Sequence, residues 1–423
     1  MSKPETDDVH SPAVTTDVPV PFLKQVKIRN YKSIVNCDVE LGALTVLVGR
    51  NGAGKSNFLD ALRFVADALR KSLTQAIESR GGMREICHRG TASANSFEIE
   101  LEFVTRSVFH INYGFGVKPK GDSDFEVEWE RFEERFGDGI PAKFERTFSK
   151  IYPDSEHYKG HKEYAFIEND LVLKLVHNLI PVHNNASVLA ELNCYDLDPR
   201  SMRDPRTHGA GEILHNDGSN IASVFGRIER ERPEVKNRVI EYLSAIVPGV
   251  TDIKRMSLGP YETLEFTQQH SGSDSPSVFY PLNMSDGTLR AFGALVAVAQ
   301  LAEGNVPVSL VGIEEPEAAL HPAAAGALMD ALHEAAVHTQ IVVTTHSPDL
   351  LDRLDFDTDR ILVVESRNGQ TQIGPIDNAS RQAIKKHLFS PGELLRMDQL
   401  EIDWTDLERQ RQSKSTATAG RAE

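Results

Sequence analysis

The chemistry-bearing residues of this chain begin with a glycine-rich segment, Gly49-Arg50-Asn51-Gly52-Ala53-Gly54-Lys55-Ser56, which fits GxxxxGK(S/T) at every fixed position. Glycines at this spacing let the backbone curl so that its N–H groups and the next helix N-terminus point at phosphate oxygens. Lys55 supplies a charge for the β- and γ-phosphates, and the Ser56 hydroxyl can bind Mg²⁺. We therefore predict a nucleoside-triphosphate site whose cofactor-binding residues are Asn51, Gly52, Ala53, Gly54, Lys55, Ser56 and Asn57.

Two adjacent carboxylates, Glu314 and Glu315, directly follow the apolar run Val308–Ile313. One carboxylate at the end of a buried strand can hold the water shell of Mg²⁺, and its neighbour can orient or deprotonate an attacking water molecule. An acidic pair at a strand end is ordinarily a solvated turn. Here the phosphate loop upstream favours a hydrolytic role for the pair.

Two further segments could complete a site built from several loops. Ser285 precedes a helical stretch as a good N-cap, and free N–H groups at Gly287 and Thr288 can bind an anion. His346 follows a second apolar run that ends at Thr345, and open α/β sheets bind ligands at such strand ends. Taken alone, each segment is more often structural, as a helix cap or a packed histidine. Their order along the chain makes them candidates.

Alternating strands and helices must position these loops. The apolar run Ala43–Gly49 predicts a strand buried on both faces, and a helix is predicted from about Lys55 to Leu73. Phe22–Tyr31 and Phe97–Phe103 alternate apolar and polar residues, as half-exposed strands do. The last third predicts helices over 286–301, 322–336 and 348–354, and strands over 306–313, 340–345 and 360–365. This alternation indicates an α/β fold with a parallel sheet and helices outside.

The order and spacing of four motifs resemble those of ABC-type ATPases. GRNGAGKS is similar to the Walker A motif, MSDGTLR to the signature, IEEPEAALHP to the Walker B motif and D-loop, and TTHSP to the switch histidine. The match is to the branch that contains the structural-maintenance-of-chromosomes (SMC), RecF and overcoming-lysogenization-defect (OLD) proteins. The opening FLKQVKIRNYKSI resembles the first strand of that branch. The resemblance covers about 22–105 and 280–375 well and the middle only loosely.

The resemblance implies a role for each matching residue near the phosphates. Lys55 and Ser56 bind the phosphates and Mg²⁺. Glu315 is implied to be the catalytic base, and His346 to contact the γ-phosphate or the attacking water. Glu314 takes the metal-side position, where the family usually has an aspartate one methylene shorter. ATP and Mg²⁺ are therefore the implied cofactors.

The signature residues imply a partner subunit. By resemblance, Ser285 and Gly287 reach the γ-phosphate of ATP held by another protomer, which implies a homodimer with two ATP molecules between its subunits, or a higher oligomer. The signature departs from the family at one position, because Asp286 stands before Gly287 where a second glycine is usual. No Q-loop residue is assigned.

The fold that the resemblance implies is an α/β P-loop NTPase of the ABC-ATPase head type. It has a mixed or parallel central sheet, an antiparallel β subdomain and a helical lobe inserted between Walker A and the signature. The predicted units are a disordered arm over 1–20, the first half of the head over 21–130, a mostly helical lobe over 131–250, the second half of the head over 251–390, and an extension over 391–423 with a disordered end.

The spacing of the motifs also bears on a nuclease function. Ser56 and Ser285 are 285 − 56 = 229 positions apart, and no sustained heptad repeat of a long coiled coil lies between them. A Toprim nuclease domain, which OLD nucleases append, needs an acidic strand end followed by DxD. Glu365 could supply the first element, but 423 − 365 = 58 residues follow it and Asp355-Phe356-Asp357 precedes it. We therefore expect no intrinsic nuclease and, by family resemblance, a separate effector such as a nuclease in a bacterial anti-phage defence system.

The charge balance limits the partners. With 46 Lys and Arg against 62 Asp and Glu, the formal charge is −16, which argues against a protein that binds nucleic acid or anionic membrane over its whole surface. Local DNA contact stays open through two arginine clusters, which are Arg80, Arg84 and Arg89, and Arg200, Arg203 and Arg206. Solvated loops are the favoured alternative, because acids flank both clusters and aromatic residues are not interleaved.

Three functions stay open. The first is a dimeric ATP-driven switch that senses DNA or a foreign protein and controls an effector. The second is a RecF-type repair ATPase that acts on DNA ends or gaps. The nucleotide-binding subunit of a membrane transporter fits less well, because the EEPE…LHP string is atypical there. No stretch approaches the roughly 20 apolar residues that span a bilayer, so we expect a cytoplasmic protein without a membrane partner.

Overall fold

The computed structural model describes residues 22–89, 96–104, 109–121, 124–136, 142–147, 150–153, 169–176, 184–269, 272, 275–300, 309–405 and 407. The predicted disordered arm over 1–20 and the predicted disordered end of the extension, QRQSKSTATAGRAE over 410–423, lie outside these residues. No helix among the described residues combines the length and apolar character needed to cross a bilayer.

Strands and helices follow one another along the chain. The strands are β1 (Phe22–Tyr31), β2 (Ile34–Glu40), β3 (Leu44–Val48), β4 (Phe97–Val104), β5 (Phe109–Lys120), β6 (Asp124–Phe136), β7 (Ala142–Thr147), β8 (Lys150–Pro153), β9 (Leu192–Tyr195), β10 (Arg206–Thr207), β11 (Val250–Leu258), β12 (Tyr261–Gln268), β13 (Ser277–Phe279), β14 (Leu310–Glu314), β15 (Gln340–Thr345), β16 (Arg360–Arg367) and β17 (Gln370–Pro375). The helices are α1 (Lys55–Arg70), α2 (Leu73–Glu78), α3 (Met83–Ile86), α4 (Leu173–Val176), α5 (Pro199–Arg203), α6 (Ile221–Glu231), α7 (Pro233–Ile246), α8 (Asp286–Ala299), α9 (Pro322–Ala336), α10 (Pro348–Leu351), α11 (Asn378–Lys385) and α12 (Pro391–Arg396). Two 3-10 helices span Asn184–Ala190 and Pro281–Asn283.

One mixed sheet runs through the described part of the chain in the order β8-β7-β6-β5-β4-β1-β2-β17-β16-β3-β15-β14-β9. From β8 to β2 every neighbouring pair is antiparallel. The pairs that join β16, β3, β15, β14 and β9 are parallel. Parallel strands place their carboxyl ends at one edge of a sheet. The segments after β3, β14, β15 and β9 therefore meet at one edge, as the alternation of strands and helices predicted.

Different helices cover the two faces of the parallel strands. In β3, Leu47 belongs to the buried cluster that contains α1, whereas Val46 and Val48 belong to the cluster that contains α8 and α9. Fully burying one such side chain is worth about 1.5–3 kcal/mol. Because side chains alternate along a strand, a shift of one residue would move each of them to the wrong helix layer. Packing on both faces therefore sets the strand register and, with it, the position of the loops at the strand ends.

The segment 131–250 is only partly helical in its described residues. It begins with the end of β6 and with β7 and β8, which extend the antiparallel part of the sheet. It also contains β9, whose residue Leu192 pairs with Leu310 of β14 in the main sheet. The helices α5, α6 and α7 follow, and they pack beside a small antiparallel sheet of β10, β12, β11 and β13. A four-residue strand buried at every position carries no periodicity, so the pattern of apolar residues did not reveal β9.

Several predicted elements agree closely with the structure. The bounds of β1, α9 and β15 are as expected, and α8 begins at Asp286 after its cap Ser285. Helix α10 ends at Leu351, three residues earlier than expected. The predicted strand over 306–313 is observed as β14, and its first residues, 306–308, lie outside the described residues. The predicted α/β class, with an antiparallel β part beside a parallel sheet, is confirmed.

Candidate functional site

The phosphate loop joins β3 to α1, and close packing requires glycine at two of its positions. Gly54 has φ +106°, and a Cβ there would lie 2.0 Å from Thr371 Oγ1. A Cβ at Gly49 would lie 2.1 Å from the carbonyl oxygen of Val364. Any side chain at these two positions would displace the neighbouring strands β16 and β17.

A chain of hydrogen bonds supports the loop from behind. Thr371 Oγ1 donates to Ala53 O at 2.8 Å, and the hydroxyl oxygens of Ser33 and Thr371 are 2.7 Å apart. Asn57 Nδ2 donates to Ser33 Oγ at 2.6 Å. Asn57, predicted to bind the cofactor, thus directs its amide to the support of the loop. Ser33 and Thr371 were not predicted, because no local pattern connects residues so far apart in sequence.

Lys55 lies at the centre of the site. Its Nζ donates to Gly49 O at 2.8 Å and Arg50 O at 3.2 Å, and it lies 3.6 Å from Glu315 Oε1. The side chain is only 5% exposed, so burial lowers the pKa of Lys55 while the carboxylates around it oppose that change. The ammonium group is thus held by acceptors that point into the phosphate loop.

The two predicted metal ligands are neighbours. The Ser56 hydroxyl donates a hydrogen bond to the Glu314 carboxylate, and burial raises the pKa of Glu314 despite that bond. Asp196, which follows β9, adds negative charge near Glu314. A hydroxyl and a carboxylate beside a phosphate loop are the oxygen donors that Mg²⁺ takes together with substrate phosphates and water. Asp196 was missed, because the four buried residues before it carry no periodicity that marks them as a strand.

Glu315 brings two segments together. Its backbone has φ +41°, which is uncommon outside glycine, and its N–H donates to Thr344 O at 3.0 Å. The side-chain oxygen Oε1 lies 3.1 Å from His346 Nδ1 and 3.6 Å from Lys55 Nζ. The three predicted catalytic residues therefore meet at one carboxylate oxygen.

A third acid of the same segment, Glu317, holds the switch-histidine segment. Its carboxylate accepts a hydrogen bond from Thr345 Oγ1, which in turn accepts one from the Ser347 N–H at 2.9 Å. His346 therefore lies between two residues that are fixed through Glu317. Glu317 is 7% exposed, its Oε2 has no hydrogen-bond partner among the described residues, and burial raises its pKa. The motif IEEPE contained this residue, but nothing in the sequence distinguished it.

The signature residues lie at the amino end of α8. Ser285 caps the helix by accepting a hydrogen bond from the Thr288 N–H at 3.1 Å. A Cβ at Gly287 would lie 2.3 Å from Ala319 O, so Gly287 packs against the D-loop of its own chain. Among the described residues, no hydrogen bond or ion pair joins Ser285 or Gly287 to the phosphate loop. The trans role predicted for both residues therefore stays a prediction.

The first arginine cluster does not form one cationic surface. Arg80 is 7% exposed, and it bonds to Asp60 at 2.9 Å and to Asp67 at 3.1 Å. The prediction that Arg80 contacts DNA is wrong, because the turn after α2 folds this side chain back onto the acids of α1. Arg84 and Arg89 are exposed, and Arg89 pairs with Glu85.

The second arginine cluster also contains both exposed and ion-paired side chains. Arg200 and Arg206 are exposed. Arg203 is 20% exposed and pairs with Asp286 at 2.5 Å. Its guanidinium is thus bound to the signature segment.

Comparisons with known proteins agree with this geometry. Residues 22–217 match the family described as "AAA ATPase domain", and residues 208–352 match "AAA domain, putative AbiEii toxin, Type IV TA system". The OLD nuclease of Thermus scotoductus is 25% identical over 379 residues, which cover 86% of this chain and 66% of that protein. The chromosome partition protein Smc of Methanocaldococcus jannaschii is 28% identical over 119 residues, which cover 25% of this chain and 10% of that protein.

A solved Smc head bound to the C-winged helix domain of ScpA has a TM-score of 0.53 to this chain at 16% identity, covering 85% of this chain and 99% of the other. At that identity the match shows the fold, and it confirms the expected ATPase head. The matched part of the chain spans no more than about two thirds of the length of these two relatives. Domain matches, sequence similarity and fold agree in supporting an SMC/OLD-like AAA ATPase.

Proposed function

We propose that this chain binds ATP with Mg²⁺, hydrolyses it, and works as a nucleotide-driven switch between two copies. The observation that carries the proposal is the meeting of Lys55, Glu315 and His346 at one carboxylate oxygen. Ser56 and Glu314 stand beside it as a hydroxyl–carboxylate pair. Charge, base and metal ligands are the parts that phosphoryl transfer to water requires.

Each residue has a task in the hydrolysis of the β–γ bond. Lys55 and the N–H groups of the phosphate loop hold the phosphates, while Ser56 and Glu314 hold Mg²⁺, which neutralises phosphate charge when bound. Glu315 accepts a proton from a water molecule. The oxygen of that water forms a bond to the γ-phosphorus while the bond between the γ-phosphorus and the bridging oxygen of ADP breaks. His346 lies where it can orient that water or donate to the γ-phosphate.

Two features support a dimer. The amino end of α8 leaves Ser285 and Asp286 exposed, as expected for a helix end that contacts ATP on a second copy. Exposed apolar side chains precede it, with Val278 48%, Tyr280 38% and Leu282 71% exposed. A head-to-tail pair of chains would bring this end to the phosphate loop of the partner.

We base the proposed biological role on similarity to an OLD nuclease over 86% of the chain. That similarity supports a role in a bacterial anti-phage defence system, in which the ATPase would control a separate effector such as a nuclease. Exposed Arg84, Arg89, Arg200 and Arg206 are the remaining candidates for DNA contact.

The substitution Glu315→Gln tests the hydrolytic proposal. It removes the base but keeps the shape of the side chain, so ATP hydrolysis should fall by about 10²–10⁴-fold while ATP binding persists. With ATP and Mg²⁺ the variant should accumulate as a dimer, measured by light scattering on a sizing column. The matched control is Glu401→Gln, at an exposed acid outside the site. Turnover at the wild-type rate in Glu315→Gln would remove Glu315 from its role.

A further inference from the structure

A short segment connects the nucleotide edge of the sheet to the signature. Asp196 follows β9 at the edge that holds Glu314, and its charge acts on that carboxylate. Helix α5 begins three residues later, where the Asp198 side chain accepts a hydrogen bond from the Arg200 N–H. The helix ends at Arg203, whose guanidinium lies on the signature segment. Arg203, seven positions after Asp196, therefore contacts the first residue of α8.

Arg203 binds the signature at two points. Its Nη2 donates to Met284 O at 2.9 Å and to Asp286 Oδ1 at 2.5 Å. The hydrogen bond from Arg203 lowers the pKa of Asp286, and the charges of Arg290 and Arg200 act in the same direction. The guanidinium thus fixes the backbone before Ser285 and the side chain after it.

Asp286 poses an electrostatic problem for the proposed trans contact. It is the first residue of α8, where the free N–H groups and the helix dipole favour an anion. A carboxylate at this position repels the γ-phosphate that the same helix end should accept, and Asp286 is 62% exposed towards solvent. By the resemblance, ABC-type ATPases usually have a glycine there, so the charge of Asp286 is one that this helix end must compensate.

We propose that Arg203 is a positioning residue that neutralises Asp286 and holds the signature end of α8 ready for ATP on a second copy. This inference rests on the proposed function. Arg203, a candidate for DNA contact by sequence, thus acts within the ATPase.

A double-mutant cycle tests the assignment. Arg203→Gln leaves Asp286 uncompensated, and we expect ATP-dependent dimerisation and hydrolysis to fall about 5- to 100-fold, the range typical of coupling between two sites. ATP affinity of the isolated chain should stay within about twofold, because the phosphate loop is untouched. Asp286→Gly alone gives the reference rate of a signature that lacks this carboxylate. The double variant should recover to near the rate of Asp286→Gly, since no charge then needs compensation.

Arg206→Gln is the matched control, because Arg206 is exposed three positions after Arg203 and makes no side-chain hydrogen bond or ion pair among the described residues. A double variant as slow as Arg203→Gln would overturn the inference, because it would show that Arg203 acts other than through Asp286. Unchanged hydrolysis and dimerisation in Arg203→Gln would overturn it too. Failure of the ATPase proposal is recognised separately by Glu315→Gln, since only that variant removes the base.

Discussion

The two halves of the proposed ATP site are built in opposite ways. The nucleotide side, formed by Gly49–Ser56, Glu314, Glu315 and His346, lies at the edge of the main sheet and is joined by contacts within one chain, and its central Lys55 is 5% exposed. The signature side, formed by Ser285–Gly287, faces outward, and Asp286 is 62% exposed. Parallel strand ends assemble the first side within one chain.

This difference indicates what each copy of the proposed dimer contributes to the ATP site. The nucleotide side has an internal partner for its ammonium group, its histidine and its metal-side acid. On the signature side, Arg203 supplies the ion-pair partner of Asp286, and both Ser285 and Asp286 are exposed. A single chain should therefore bind nucleotide by itself and need a second copy to hydrolyse it.

The largest effect is expected from Lys55→Ala on the nucleotide side. Loss of the ammonium group removes the charge that faces the β- and γ-phosphates, so hydrolysis should fall by about 10²–10³-fold or more. ATP binding should weaken in the isolated chain as well, measured by calorimetry. Lys71→Ala at the exposed end of α1 is the control, since its side chain is 61% exposed. Unchanged ATP affinity in Lys55→Ala would contradict the division described above.

Ser285→Arg should distinguish the role of the signature side from that of the nucleotide side. A large side chain at the outward helix end blocks the approach of a second copy, so hydrolysis should drop by about 10²-fold while each chain binds ATP as before. Measuring both quantities in one preparation makes the comparison direct. Ser257→Arg, at an exposed serine of β11 in the same lobe, should leave both unchanged. Weakened ATP binding in Ser285→Arg would mean that the signature side belongs to the site of its own chain.

Substitutions of Glu317 test how far hydrolysis depends on the buried hydrogen bond between Thr345 and Glu317. Glu317→Ala frees Thr345 and therefore the segment around His346, and we expect hydrolysis to fall about tenfold with little change in ATP affinity. Glu317→Gln keeps an acceptor for Thr345 Oγ1 and should retain most of the rate. Equal losses in the two variants would show that the negative charge of Glu317, rather than its hydrogen bond, matters.

The smallest effect on catalysis, and a large one on stability, is expected from Asp60→Asn. Asp60 is 4% exposed and bonds to Arg80, Arg63 and Lys32, so removing its charge should cost about 3–5 kcal/mol at pH 7. Burial alone would raise the pKa of Asp60, but the charges of Arg80 and Lys32 hold it well below its usual range.

The pH dependence of that loss follows from the lowered pKa. A lowered pKa in the folded chain stabilises it above the unfolded value of about 3.9, and this stability disappears as the pH falls below that value. The gap between wild type and Asp60→Asn in urea unfolding should therefore narrow below about pH 4. Asp286→Asn, the same change on the exposed signature side, should barely move the unfolding midpoint. Equal losses from the two substitutions would remove the contrast between the sides.

The residues that could be predicted from the sequence lie at strand ends, and those that could not have partners that are distant in the chain. Lys55, Glu315 and His346 were predictable because each follows an apolar strand, and strand ends meet by rule in a parallel sheet. Thr371 and Arg203 were not, because their partners Ala53 and Asp286 are distant in the chain and no periodicity marks such pairs.

Arg80 shows the same limit from the opposite direction. A cluster of arginines at Arg80, Arg84 and Arg89 looked like a cationic surface, but only tertiary packing determines which guanidinium folds onto a buried acid. Charge counts along the chain predict net charge, and they do not predict ion-pair partners.

The contact between Gly287 and Ala319 has a mechanical consequence. Two backbones touch there, with room for not even a methyl group, and no flexible side chain lies between them to absorb a displacement. Packed interiors transmit such shifts instead of damping them. Ala319 lies four residues after Glu315, so we expect a displacement of the Glu315 segment to shift the amino end of α8. The proposed base and the surface proposed to face a second copy are thus joined by a rigid backbone contact.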